Sequence, residues 1–141
     1  MLLAAGAAVG MPEGAAGFTP LIDACCEGHT EVASMLLVAR AEVNQASEYG
    51  TTPLSMASSN GHVEMLSMLL AAGAAVGMPE GAAGFTPLID ACCEGHTEVA
   101  SMLLVARAEV NQASEYGTTP LSMASSNGHV EMLSMLLAAG A

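Results

Sequence analysis

The chain is built from an internal repeat without a single mismatch. Residues 1–67 and 68–134 are identical, and residues 135–141 begin a third copy. A fixed repeat period is typical of proteins in which one small unit stacks on its own copies, so this feature constrains the fold more than any other. Since sequence drift normally blurs repeats, the identity indicates a duplication that is either very recent or deliberate.

Each 67-residue unit contains two related halves. Residues 17–44 and 50–77 share the pattern G-x-T-P-L-x-x-A-x-x-x-G-H-x-E, followed by an apolar stretch and A-x-V. Thr19 suits a helix N-cap, and Pro20 fits the first helical position, where its missing N–H costs nothing. Gly28 suits the left-handed residue that ends a helix. The pattern therefore predicts two short helices in each half.

The apolar residues of these two helices follow helical spacing. They form one face in the first half: Leu21, Ala24, Cys25, Val32, Met35 and Leu36. Glu31 suits the first turn of the second helix, where the helix dipole favours an anion. Neither helix reaches the roughly 12 residues that an isolated helix needs in water, so packing on neighbouring repeats must stabilise both.

The composition favours helices and narrows the range of partners. Apolar residues make up 52% of the chain, but Trp is absent and aromatic residues make up only 3%. Such a mixture suits closely packed helices, since sheets favour β-branched and aromatic residues. The net charge is −12, and Arg40 and Arg107 are the only cations. Nucleic acid and anionic membranes are therefore unfavourable partners, and a protein with a basic surface is favoured. Alternatively, the acidic residues simply keep an apolar surface soluble, which is the favoured interpretation of the charge.

The cysteines and the N-terminal sequence indicate an intracellular, cytoplasmic protein. The four cysteines form two adjacent pairs, Cys25–Cys26 and Cys92–Cys93. Neighbouring cysteines bridge each other only with strain, so we expect reduced thiols. The apolar N-terminus lacks a basic leader and recurs inside the chain, so we interpret it as repeat sequence and not as a signal peptide. No uninterrupted apolar run reaches the roughly 18 residues of a membrane-spanning helix.

The motifs T-P-L-x-x-A, G-H and A-x-V-N, at a spacing of 33 residues, resemble the ankyrin repeat family. The resemblance implies an all-α solenoid of stacked helix-turn-helix pairs with short β-hairpin-like loops. It also implies one domain, 1–141. The domain divides into a partial repeat and four full repeats: 1–11, 14–45, 46–78, 81–112 and 113–141.

The chain departs from the family pattern at several positions, among them Gly77, which replaces the asparagine seen as Asn44. Ile22 and Ser55 stand where the family has a histidine that ties the loop to the helix, and we expect this loss to weaken each repeat. Arg40 stands where Gly73 occupies the equivalent position of the other half. A side chain in a left-handed cap costs on the order of 1 kcal/mol, so Arg40 is expected to be strained.

The sequence predicts no catalytic, metal-binding or cofactor-binding residues, and hence no enzyme. Nucleophile, phosphate-binding and dinucleotide motifs are absent. Cys25, Cys26 and His29 lack the spacing of a four-ligand zinc site. Carboxylates such as Glu27 and Glu31 suit a solvated face. Four histidines each follow a glycine and are expected to bond the turn between the helices, as their family counterparts do: His29, His62, His96 and His129.

The resemblance implies non-catalytic protein binding through the concave face, which hairpin tips and the exposed side of the first helices form. Carried onto this chain, the partner-binding positions are Phe18, Cys26, Glu27, Glu48, Tyr49, Thr51, Ser59, Asn60, Phe85, Cys93, Glu94, Glu115, Tyr116, Thr118, Ser126 and Asn127. Aromatic residues anchor interfaces, and we expect Tyr49 to be exposed. Phe18 either contacts the partner or packs under its own loop.

An alternative function is structural, since identical repeats can stack copies of the chain head to tail. Met1–Ala7 and Met135–Ala141 have the same sequence, so the two segments would compete for one groove between successive copies.

Overall fold

The computed structural model describes residues 10, 14 and 16–141. This part of the chain contains eight helices of seven to nine residues and no strand longer than an isolated bridge. The helices are α1 (Pro20–Glu27), α2 (Thr30–Val38), α3 (Pro53–Asn60), α4 (Val63–Ala71), α5 (Pro87–Glu94), α6 (Thr97–Val105), α7 (Pro120–Ser126) and α8 (Val130–Ala138). None of these helices is long and apolar enough to cross a bilayer. The predicted all-α class and the helix pairs are confirmed.

The first helix of every pair begins at a Thr-Pro step. Thr19 accepts a hydrogen bond from the backbone N–H of Ile22 at 3.2 Å, and the other three pairs repeat this cap. In α3, the Ser55 hydroxyl also accepts a bond from the Thr52 backbone N–H at 3.0 Å, which completes a capping box. Ser55 thus ties loop and helix together where the family has a histidine, whereas Ile22 is fully buried in the core.

The helices stack in two layers. The first helices α1, α3, α5 and α7 pack against one another in sequence, and so do the second helices α2, α4, α6 and α8. Leucines of both layers meet between them and are nearly fully buried: Leu21, Leu54, Leu88, Leu36, Leu69, Leu103 and Leu136. The core therefore runs along the stack, as the predicted solenoid requires.

The prediction that Val32 and Met35 lie on a buried face is wrong for the first helix pair. Val32 is 48% exposed, whereas Val99, which has the same neighbours in sequence, is 1% exposed. The reason is the position in the stack, because α4 packs against α6 but no described helix precedes α1 and α2. Identical sequence is thus buried or exposed according to whether another repeat covers it.

The second helices end in a left-handed residue, as predicted. Arg40 and Arg107 have φ angles of 69° and 72°, and Gly73 has a φ angle of 90° at the equivalent position. The two arginines are the described non-glycine residues with positive φ. They carry the backbone strain that a Cβ atom suffers in this conformation.

Candidate functional site

The loops between helix pairs end in tight turns that a serine organises. The Ser47 hydroxyl accepts hydrogen bonds from the backbone N–H groups of Tyr49 and Thr51, at 3.2 and 3.1 Å. Gly50 supplies the positive φ of 80° that the turn needs. The second unit forms the same turn with Ser114, Tyr116, Gly117 and Thr118. The turns therefore hold the predicted tip residues in a defined conformation.

Backbone hydrogen bonds join neighbouring tips into one row. The Glu48 N–H donates to the Ala16 carbonyl at 3.0 Å, and the Glu115 N–H donates to the Ala83 carbonyl at 2.8 Å. Gly81 donates to the Tyr49 carbonyl at 2.6 Å. We call residues 47–51, 81–85 and 114–118 the tip row. Because backbone atoms make these bonds, the spacing between tips does not depend on flexible side chains.

The tip row presents two exposed aromatic rings. Tyr49 is 63% exposed and Tyr116 is 80% exposed, so the expectation for Tyr49 is confirmed. A shallow groove of about 440 Å³ lies beside Tyr49, between Glu48 and the segment from Pro79 to Ala82. An exposed ring next to a groove, on an ordered turn, is a suitable anchor for a binding partner.

Phe85 contributes to the base of its loop as well as to the surface. Its backbone pairs with Glu80 in both directions, at 2.8 and 3.1 Å, and its side chain is half-buried. Phe18 is half-buried too. Both alternatives stated for Phe18 therefore remain open.

The predicted partner-binding residues fall into two groups at opposite ends of the first helices. One group belongs to the tips, and the other lies at the helix C-terminal ends, roughly 10 Å away for a helix of this length. The exposed members are Glu27, Glu48, Tyr49, Asn60, Glu94, Glu115, Tyr116, Ser126 and Asn127. The half-buried members are Phe18, Cys26, Thr51, Ser59, Phe85, Cys93 and Thr118. None of the sixteen residues is fully buried.

The histidines join successive repeats. His62 Nε2 lies 3.2 Å from the Cys26 carbonyl, His96 Nε2 lies 3.1 Å from the Ser59 carbonyl, and His129 Nε2 lies 3.3 Å from the Cys93 carbonyl. Sequence reasoning expected bonds to the turn between the helices, but these acceptors belong to the first helix of the preceding repeat. The three histidines therefore hold the stack together and orient the helix ends that carry predicted binding residues.

Each of these rings also packs on a left-handed glycine of the preceding repeat. A Cβ atom on Gly61 would lie 2.7 Å from the His96 ring, and one on Gly95 would lie 2.8 Å from the His129 ring. Two independent features therefore favour glycine at position 61: its φ angle of 70° and the His96 ring beside it. These contacts indicate a structural role for the histidines.

An acidic junction that sequence reasoning missed lies where the two 67-residue units meet. The Ser55 hydroxyl donates to Glu80 Oε2 at 2.6 Å, and Asp90, which is 9% exposed, interacts with Glu80. Asp90 Oδ2 is buried without a hydrogen-bond partner among the described residues. Burial first, and then the charge of Glu80, raises the pKa of Asp90 to about 8. This shift favours the protonated form of Asp90 at neutral pH.

The cysteines are poorly suited to nucleophilic or metal chemistry. Burial raises the pKa of Cys25 and of Cys92 to about 12. Burial and the neighbouring charge of Glu27 raise the pKa of Cys26. The reactive thiolate is thus disfavoured. In the described part of the chain, no group of three or more His, Cys, Asp or Glu side chains is placed to hold a metal ion.

Comparison with known families agrees with this architecture. The family model described as ankyrin repeats (3 copies) matches residues 1–80 and residues 72–141, which together span the chain. Ankyrin repeats are generally protein–protein interaction modules and are typically not enzymes. No match was found among curated proteins.

Proposed function

Because the chain belongs to the ankyrin repeat family, we propose that it is a non-catalytic scaffold that binds a protein partner through its concave face and hairpin tips. The observation that carries the proposal is the exposure of Tyr49 and Tyr116 on turns that backbone hydrogen bonds hold in place. Aromatic side chains are enriched among residues that dominate binding energy. An ordered turn also loses little conformational entropy on binding.

The charge around the tyrosines favours a basic partner. Glu48 and Glu115 precede the two rings directly, and Glu27 and Glu94 lie at the ends of α1 and α5. All four carboxylates are exposed, and the chain contains no lysine to offset them. Complementary charge accelerates association and selects among partners more than it adds affinity.

The two patches are identical in sequence, which favours an elongated or repetitive ligand. A ligand that contacts both tyrosines gains affinity from effective concentration, since the second contact forms within one complex. The four free cysteines support an intracellular setting, where thiols stay reduced.

A binding comparison tests this proposal with a matched control. Partners are captured on the wild-type chain, identified, purified and measured against Tyr49→Ala, Tyr116→Ala and the double variant. The control is Val38→Ala plus Val105→Ala, because these valines are equally exposed but lie on second helices, away from the tip row.

We expect the double tyrosine variant to lose far more affinity than either single variant, and the valine variant to bind like wild type. Added salt should weaken binding, because it screens exposed charges. Equal binding by the double tyrosine variant and wild type would reject the tip row as the binding surface. Affinity that is independent of salt would reject a basic partner.

A further inference from the structure

The C-terminal end of the stack repeats a surface that is covered elsewhere in the same chain. Helices α7 and α8 lie in sequence that is identical to that of α3 and α4. In the middle of the chain, α5 packs on α3 and α6 packs on α4. No described helix follows α8, so the corresponding face of α7 and α8 has no such cover.

Side chains at this end are open where their counterparts are covered. Val130 is 78% exposed and Leu137 is 53% exposed, whereas their counterparts Val63 and Leu70 are half-buried. Gly128 shows the same difference. A Cβ atom on Gly128 would meet nothing within 4 Å, whereas the same space at its counterpart Gly61 is occupied by the His96 ring.

The N-terminal end of the stack presents the matching surface. Helices α1 and α2 have the sequence of α5 and α6, the pair that covers α3 and α4. Val32 and Met35 are exposed there, and His29 is exposed where its counterpart His96 bonds the Ser59 carbonyl. Each copy of the chain therefore carries both halves of its own internal contact, one at each end.

We propose that the α7–α8 end of one copy binds the α1–α2 end of a second copy, and that this contact reproduces the one between α3–α4 and α5–α6. The residues on both sides are the same as in the internal contact, so shape and polarity match without further change. The ring of His29 fills the space above Gly128, as His96 does above Gly61. Since the two ends differ, the contact does not close, and successive copies form a rod.

From their sequence, the first seven residues are expected to compete for this contact. Met1–Ala7, which lies outside the described residues, has the sequence of Met135–Ala141, so it shares the register of the incoming copy's last segment. A seven-residue segment is too short to form a stable helix unaided. The incoming α8 carries the whole second helix of its pair, so we expect it to win this competition. Removing Met1–Ala7 should therefore strengthen the contact between copies.

Two end-blocked variants give a sharp test. Val130→Glu plus Leu137→Glu places charges on the C-terminal face, and Val32→Glu plus Met35→Glu places them on the N-terminal face. All four side chains are exposed, so each variant should keep the fold. Far-UV circular dichroism checks this. Val38→Glu plus Val105→Glu is the control for added charge at exposed positions outside both faces.

Light scattering on a dilution series should show that the mass of the wild-type chain and of the Val38/Val105 control rises with concentration. Each end-blocked variant alone should stay at 14.1 kDa. An equal mixture of the two variants should form a dimer of twice that mass and grow no further. One variant keeps an intact N-terminal face and the other an intact C-terminal face, so only one contact can form. Wild-type and Met1–Ala7-deleted chains that both stay monomeric would overturn the proposal. So would a mixture that stays at 14.1 kDa or grows beyond the dimer.

Discussion

The substitution Asp90→Asn should stabilise the protein at neutral pH. In the folded chain, Asp90 is buried near Glu80, and α3, which packs on α5, supplies no ionisable side chain to compensate a charge. Burial, the charge of Glu80, a side-chain hydrogen bond with Glu80 and, to the smallest extent, the charge of Glu94 raise the pKa of Asp90 from 3.8 to about 8. The folded state therefore keeps a proton that the unfolded chain releases, which favours unfolding as the pH rises.

The size and the direction of the effect follow from this pKa. Keeping Asp90 protonated has an energetic cost. For each pH unit above the ordinary pKa of aspartate, it lowers the free energy of unfolding by about 1.4 kcal/mol, until the raised pKa is reached. Below the ordinary value of 3.8, Asp90 is protonated in both states and costs nothing. At pH 7 the cost is on the order of 4 kcal/mol, a large part of the roughly 5–15 kcal/mol that typically holds a domain folded. Above about pH 8 the cost no longer grows. An uncharged asparagine removes it.

Urea denaturation across this pH range measures the effect, with Asp23→Asn as the control. Asp23 has the same neighbours in sequence and loses the same charge, but it is exposed. The gain in unfolding free energy from Asp90→Asn should be near zero at about pH 4 and should rise towards pH 8, the window that the two pKa values set. Asp23→Asn should give a smaller gain than Asp90→Asn, because Asp23 is exposed and burial does not penalise its charge. Equal profiles for the two variants would refute the argument, because the effect would then reflect net charge alone.

Three further predictions concern the strained helix caps and the contacts between repeats. The double variant Arg40→Gly plus Arg107→Gly should raise the unfolding free energy by ~1 kcal/mol per site, because it relieves the strain of a left-handed backbone. Gly73→Arg is the reciprocal control and should destabilise the protein. An unchanged melting midpoint of the double variant would mean that the arginine charge offsets the strain. Ser55→Ala should lower the unfolding free energy in urea denaturation by ~2 kcal/mol, and Ser122→Ala should lower it by ~1 kcal/mol. Both substitutions remove a capping box, but only Ser55 also contacts Glu80. Equal losses would show that the contact with Glu80 contributes nothing. In dilute solution, His96→Ala should lower the unfolding free energy by ~1 kcal/mol and His29→Ala by much less. The reason is that His96 bonds to the preceding repeat, whereas His29 is exposed. Equal effects in thermal melts would argue against the bond between repeats.

Local sequence was sufficient to predict the helix pairs. Thr19 and Pro20 set the start of a first helix, and Gly28 sets its end with a φ angle of 75°. These signals act within one turn of helix, so they depend on neighbours in sequence alone. The left-handed conformation of Arg40 was predictable for the same reason, since Gly73 occupies the equivalent cap.

Local sequence was insufficient wherever the environment comes from another repeat. Asp23 and Asp90 have the same neighbours in sequence, yet only Asp90 is buried. The bond from His62 reaches 36 residues back along the chain, and the contact between Ser55 and Glu80 spans 25 residues. Pattern analysis locates these residues in each repeat, but only the stacked structure shows which atoms they meet. The acidic junction was missed for this reason.

The two proposals use different surfaces, and this determines how they combine. The tip row runs along the side of the stack, whereas the contact between copies uses its ends, so a bound partner does not block stacking. A rod of copies repeats the tyrosine patch at regular intervals, and a repetitive ligand then gains affinity with rod length.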